Sequence, residues 1–171
     1  MTSPLLIRPA VRALAITTVA LLVGLAAAAP AAALPDGATK RELWLREKER
    51  RALVKGVRAA RIAASAVGTP YRWGGSSRTG FDCSGLTMWA YDRVGVPLPH
   101  RALSQATIGR RIARSHLWPG DLLFFRGYGH VGMYIGRGRM VHAPQSGEYV
   151  EVVSLAGRYG GRLVEIRRVA A

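Results

Sequence analysis

Gly80-Phe81-Asp82-Cys83-Ser84-Gly85 is the stretch on which the reading of the whole chain turns. It holds the chain's single cysteine, where a glycine-rich loop gives way to an amphipathic helix. Asp82 is a strong N-cap, because its carboxylate accepts from the orphan N–H groups of a first helical turn. Leu86, Trp89, Ala90 and Val94 then recur at helical spacing, and Gly95 with Pro97 and Pro99 ends the helix. Cys83 therefore belongs at a helix N-terminus. The partial positive charge there favours thiolate and draws a thiol from a pKa of about 8.5 toward roughly 3.5–7.5. The same turn offers backbone N–H groups to a developing oxyanion. An unpaired cysteine is ordinarily a small buried hydrophobe, but the flanking glycines and the exported character of the chain favour a nucleophile.

The exported character is read from the other end. Arg8 and Arg12 precede an uncharged apolar run from Ala13 to Leu25, and an alanine-rich stretch closes on Ala31-Ala32-Ala33, so residues 1–33 read as a signal peptide. The run is about 13–15 residues, short of the ~20 that span a bilayer, so no stable membrane span is expected after cleavage. Residues 34–171 carry 23 Lys and Arg against 10 Asp and Glu, a net +13. That balance suits an anionic partner such as a wall polymer. The arginines are scattered rather than interleaved with aromatics, which argues against nucleic acid.

At 171 residues the chain has room for one domain with appendages. Residues 34–57 read as a linker and a charged helix, with Thr39 and Glu42 forming a capping box and Gly56 a candidate break. A solvated extension is the default for its charged half, with a docking helix or a flap over the site as alternatives. Arg58 to Val67 is expected to pack on the core. In the loop Thr69 to Ser77, Trp73 reads as a core anchor, and Tyr71 as a groove residue whose hydroxyl needs a partner. A short helix is expected within Leu103–Ile108.

From Asp121 the pattern changes to strands, over Leu122–Arg126, His130–Ile135, Arg139–Ala143, Tyr149–Val153 and Leu163–Val169. Helices followed by a five-strand antiparallel meander make the class α+β. A cysteine nucleophile needs a general base, and the base needs an orienter. With a three-residue loop Gly136-Arg137-Gly138, Ile135 pairs with Arg139 and Gly132 lies opposite His142. His130 and His142 are then diagonal neighbours on one face; a two-residue loop would turn His142 to the other face. Cys83, His130 and His142 as zinc ligands is the weaker alternative, since no short-spaced ligand pair is present. His100 and His116 read as loop residues at the surface, His100 with some claim to substrate contact.

The segments GTPYRWGG, FDCSGL, PGDLLFF, GHVGMYIG and VHAP, in that order, resemble the NlpC-type cell-wall cysteine peptidases from about Arg58 to the C-terminus. The resemblance implies a papain-like α+β domain over 58–171 that needs no cofactor or metal. Cys83 would be nucleophile, His130 base and His142 orienter, with Tyr71 near the oxyanion or substrate and Asp82 and Ser84 holding a peptidoglycan stem peptide. The implied activity is secreted hydrolysis of a D-Glu–diamino-acid bond. A related amidase or acyl transferase, or a silent wall-binding module, are the rival readings. The Arg126–Gly129 connection is short for the family, and PHRALSQ replaces a more usual arginine-containing run.

Overall fold

In the computed structural model, residues 37–169 are described; the signal-peptide reading of residues 1–33 and the start of the linker at 34–36 lie outside them. Thr39 opens the first helix as the capping box requires. Its hydroxyl accepts from the Glu42 N–H at 3.3 Å, while the Glu42 carboxylate accepts from the Thr39 N–H at 2.8 Å. Helix α1 (Lys40–Ala64) then runs unbroken through Gly56, against the expected break. A Cβ at Gly56 would stand 2.9 Å from the Pro119 carbonyl oxygen, so this glycine is a point of close approach. Ala52, Gly56, Ala59, Ala60 and Ala63 form the buried stripe of α1, small residues that let it lie close on the domain. The N-terminal half exposes Trp44 and Leu45, yet it is not free, because Glu49 pairs with Arg110 and approaches Arg168 at 3.9 Å.

A two-stranded ribbon, β1 (Ser76–Ser77) and β2 (Gly80–Phe81), leads into α2 (Cys83–Asp92). After α3 (Ala102–Gln105) come β3 (Arg110–Arg111), β4 (Leu122–Phe125), β5 (Val131–Gly136), β6 (Arg139–His142), β7 (Glu151–Ser154) and β8 (Leu163–Arg168). The five expected strands are all present. They are joined by the short edge strand β3, and the order is β3-β8-β4-β5-β6-β7, all neighbours antiparallel. The last strand thus returns beside β4, and the sheet is not a simple meander.

Strand β4 is buried along its whole length, which a half-exposed strand would not be. Leu122 and Phe124 join the core beneath α1 and α2, with Leu86, Trp89, Val131, Met133 and Val141. Leu123 and Phe125 face the opposite side, with Ile112, Met140, Leu155 and Ile166. Asp121, at the start of β4, accepts from both Arg168 Nε and Nη2 at 2.8 Å and from the Trp118 N–H at 2.8 Å. This buried fork holds β8 on β4, a bidentate pair of the strong kind.

Candidate active site

Asp82 caps α2 and organises the turn that carries Cys83. Its Oδ1 accepts from the Gly85 N–H at 2.7 Å and the Ser84 hydroxyl at 3.0 Å, and its Oδ2 from the Gly74 N–H at 2.9 Å. The Asp82 carbonyl takes the Leu86 N–H at 3.0 Å. The N–H groups of Cys83 and Ser84 are left at the free end of the helix, as the position of the cysteine anticipated. Ser84 is buried and donates its hydroxyl to Asp82, which ties it into the turn at the edge of the groove.

His100 lies in an exposed loop, as expected, and is also engaged with the cap of α2. Its Nε2 lies 3.0 Å from Asp82 Oδ2 and 3.1 Å from Oδ1. Gln105 holds that loop in place: its amide donates to the carbonyls of Ser84 at 3.0 Å and Pro99 at 2.8 Å, and its oxygen accepts from the Thr87 hydroxyl at 2.7 Å. The PHRALSQ run therefore ties His100 and the start of α2 into one polar unit. His116 is engaged through its main chain, its carbonyl accepting from Arg168 at 2.7 Å and its N–H donating to the Ala113 carbonyl at 2.9 Å.

The two sheet histidines meet. His130 Nε2 stands 2.9 Å from His142 Nδ1, with ring planes 81° apart. The hairpin reaches this register by a route different from the expected one. Gly136 pairs with Arg139, so the turn has two residues, Arg137 and Gly138, at φ 53° and 66°. The additional residue, Ile135, goes into a bulge, and below it Met133 pairs with Val141 as a three-residue loop would have it. The bulge cancels the face reversal that a two-residue turn alone would impose. A Cβ on Gly132 would lie 2.7 Å from Met140 Sδ and in ordinary contact, 3.5 Å, with His142 Cβ, so the glycine leaves the space that the Met140 thioether fills.

His142 is fully buried and its Nε2 has no hydrogen-bond partner; the nearest charge is Glu151 Oε1 at 3.4 Å, across the β6–β7 pair His142–Glu151. Tyr159 covers both imidazoles, edge-on to His142 at 5.0 Å. Sequence reasoning passed over Glu151, Tyr159 and Gln105. The alternation of β7 put Glu151 on the face of His142, which was the one available signal, but only with the β6–β7 register known.

Cys83, Tyr71, Trp73, Asp82, Ser84, His100 and His130 line one groove of about 480 Å³. Trp73 is 86% exposed there, so it is a groove wall and not the expected core anchor. No residue of α1 lines the groove. Burial pushes the Cys83 thiol up, opposed in part by the N–H groups of Val131 and Ser84 near the sulfur. Burial likewise lowers His130 to about 4, with the Arg162 cation adding to it. His142 is lowered to about 3 by burial, then by His130 and Arg158. Desolvation therefore opposes the helix terminus, and burial disfavours the charged forms of the thiol and of both imidazoles. Burial first, then Cys83 and Asp82, raise the Tyr71 phenol, which stays protonated as a donor. Among the described residues, no three His, Cys, Asp or Glu side chains converge as a metal-ligand group.

The NlpC/P60 family profile matches residues 68–168. Murein DD-endopeptidase MepH of Escherichia coli is 45% identical over 113 residues, covering 60% of this chain and 42% of MepH. Bifunctional muramidase/DL-endopeptidase CwlT of Bacillus subtilis is 40% identical over 110 residues, covering 60% of this chain and 33% of CwlT. The chain thus spans less than half the length of these relatives. In three dimensions, the crystal structure of the NlpC/p60 domain of the peptidoglycan hydrolase SagA superposes with a TM-score of 0.60 at 36% identity, covering 66% of this chain and 97% of that domain. With more than half of its length inside the profile, the chain belongs to the NlpC/P60 family.

Proposed function

We propose that this protein is a secreted cysteine endopeptidase that cuts peptidoglycan stem peptides through a thioester on Cys83. The observation that carries the reading is the His130–His142 contact of 2.9 Å, set in the strand register that places the Val131 N–H at the Cys83 sulfur. With its Nε2 engaged by His142, His130 has Nδ1 for the thiol. Cys83 sulfur attacks the amide carbon as its proton passes to His130, and the carbonyl oxygen, now an oxyanion, takes N–H bonds at the start of α2. Tyr71 is a further donor to that oxyanion or to the substrate. His130 returns the proton to the departing amine, leaving a thioester and a free amine. Water, deprotonated by the same imidazole, then releases the acid and restores the thiol. His142 accepts from His130 Nε2–H and fixes its tautomer.

Asp82 and His100 supply the polar floor of the groove and exposed Trp73 an apolar wall, which suits a peptide carrying both charged and methyl groups. We assign the bond between D-Glu and the diamino acid, in keeping with the DL-endopeptidase relative CwlT. The DD-endopeptidase relative MepH favours a second reading, cleavage of the cross-link between stems. Digestion of purified peptidoglycan, with the soluble products weighed by mass spectrometry, decides between them. Stem fragments ending in D-Glu, absent with Cys83→Ala, support the first; uncrosslinked but intact stems support the second. No release by the chain would favour the silent wall-binding module. Secretion rests on residues 1–33, and cleavage after Ala33 in a secreting host tests it.

A further inference from the structure

A second cleft, of about 370 Å³, adjoins the groove of Cys83 and shares His130, Gly129 and Pro144 with it. Three arginines line it, Arg126, Arg158 and Arg162, against one carboxylate, Glu148. Among the described residues none of the three arginines is in an ion pair, although the buried acids Asp121 and Glu165 are each paired with other arginines. Arg158 is held in place over the Tyr159 ring at 5.0 Å and donates to the Tyr159 hydroxyl at 3.2 Å. The main chain fixes the roots of the other two, the Arg126 N–H donating to the Arg162 carbonyl at 2.8 Å. Keeping unneutralised cations beside a base that must itself become a cation opposes catalysis; the fields of Arg162 on His130 and Arg158 on His142 act in that direction. An anion bound between them would remove the opposition.

Reaction geometry says which part of a substrate sits there. The acyl half stays on Cys83, in the groove with Tyr71 and Asp82. The base must hand its proton to the leaving amine, so the residue bearing that amine lies on the far side of His130. We propose that this arginine-lined cleft is the subsite for the leaving residue, and that it selects a residue carrying a free carboxylate over its carboxamide. The inference rests on the endopeptidase reading above and adds the leaving-side specificity to it. Bidentate guanidinium–carboxylate pairing supplies the discrimination, since a carboxamide offers one acceptor and no charge.

The test uses two synthetic stem peptides that differ only in a carboxylate or carboxamide on the diamino residue after the scissile bond. The chain is expected to cleave the carboxylate form with at least about tenfold higher kcat/KM, a ratio that shrinks with added salt. In Arg126→Gln/Arg158→Gln/Arg162→Gln the ratio should fall to within about threefold. A ratio near one in the unsubstituted chain, or an unchanged ratio in the variant, overturns the subsite. Binding is read separately on the Cys83→Ala chain, titrating the free diamino-acid fragment in both forms and following the His130 ring resonances. Carboxylate-selective binding that raises the His130 pKa, lost in the triple variant, is expected even if the assigned bond proves wrong; equal binding of both forms overturns the subsite. Inorganic phosphate is titrated in parallel. Phosphate binding that matches the carboxylate fragment would make the cleft a general anion site and overturn the assignment to the leaving residue.

Discussion

Replacing Asp82 by alanine dismantles the cap of α2 and with it the setting of Cys83. The carboxylate takes three donors, Gly85 N–H at 2.7 Å, Gly74 N–H at 2.9 Å and Ser84 O–H at 3.0 Å, and it faces His100 at 3.0 Å. Loss of an N-cap alone costs about 1 kcal/mol. The Ser84 hydroxyl is buried and the Gly74 N–H partly so, and leaving such donors unmet costs about 1–3 kcal/mol each. The sum is about 3–7 kcal/mol, a large share of the 5–15 kcal/mol that folded domains possess. At about 3 °C per kcal/mol for a domain of this size, the melting temperature should fall by roughly 10–20 °C. Asp82→Asn keeps the acceptor and the volume but not the charge, and should lose about a third as much. Calorimetry on the three proteins gives the stability order, and peptide hydrolysis at a temperature where all are folded gives the activity order. Asp82→Ala should still lose at least tenfold in kcat there, because the first-turn N–H groups are no longer held. An alanine variant melting within about 2 °C of the parent would refute the reasoning.

Glu151→Ala removes the carboxylate 3.4 Å from the buried Nε2 of His142, and should lower kcat about tenfold with KM little changed. Glu151→Gln keeps an acceptor and should recover most of the rate; histidine nitrogen NMR should show the tautomer population of His142 shifting in the alanine variant only. Acid should destabilise the fold: His130 is depressed to about 4, so between about pH 6.5 and 4 the unfolded chain binds a proton that the native imidazole refuses. Stability then falls with pH across that window by on the order of 3 kcal/mol from this group, and urea midpoints at several pH values read it. Gly56→Ala sets a Cβ 2.9 Å from a backbone oxygen and should cost about 1–3 kcal/mol, while hydrolysis per folded molecule holds because α1 does not line the groove. Gly132→Ala meets only the movable thioether of Met140 closely, at 2.7 Å, so it should cost less stability than Gly56→Ala in the same denaturation assay.

Much of the site was legible because its parts lie in short local patterns. Asp82 before Cys83 announces a cap in sequence, and the structure builds that cap. The spacing of His130 and His142 across one hairpin put both on one face, and they touch. The compensation was not legible: a two-residue turn plus a bulge at Ile135 keeps the register that a three-residue loop was expected to keep, and only the strand pairing reveals it. Trp73 misled because an aromatic between glycines carries no periodicity to place it, and the loop turns it outward. His100, Gln105 and Glu151 depend on contacts between segments distant in the chain, which local pattern does not encode. The thiol shift had the wrong sign for a similar reason, since a helix terminus is local while desolvation belongs to the assembled groove. Gly56 read as a helix breaker until Pro119 and Gly120 were seen to pack against it.

The most direct test of the central claim is the intact mass of the chain after acid quenching during turnover of a stem peptide. A covalent acyl adduct on Cys83 is predicted, matching the mass of the fragment up to D-Glu, discharged by hydroxylamine and absent from Cys83→Ala. Steady product formation with no adduct at any quench time, or an adduct that maps to another residue, would contradict the thioester account.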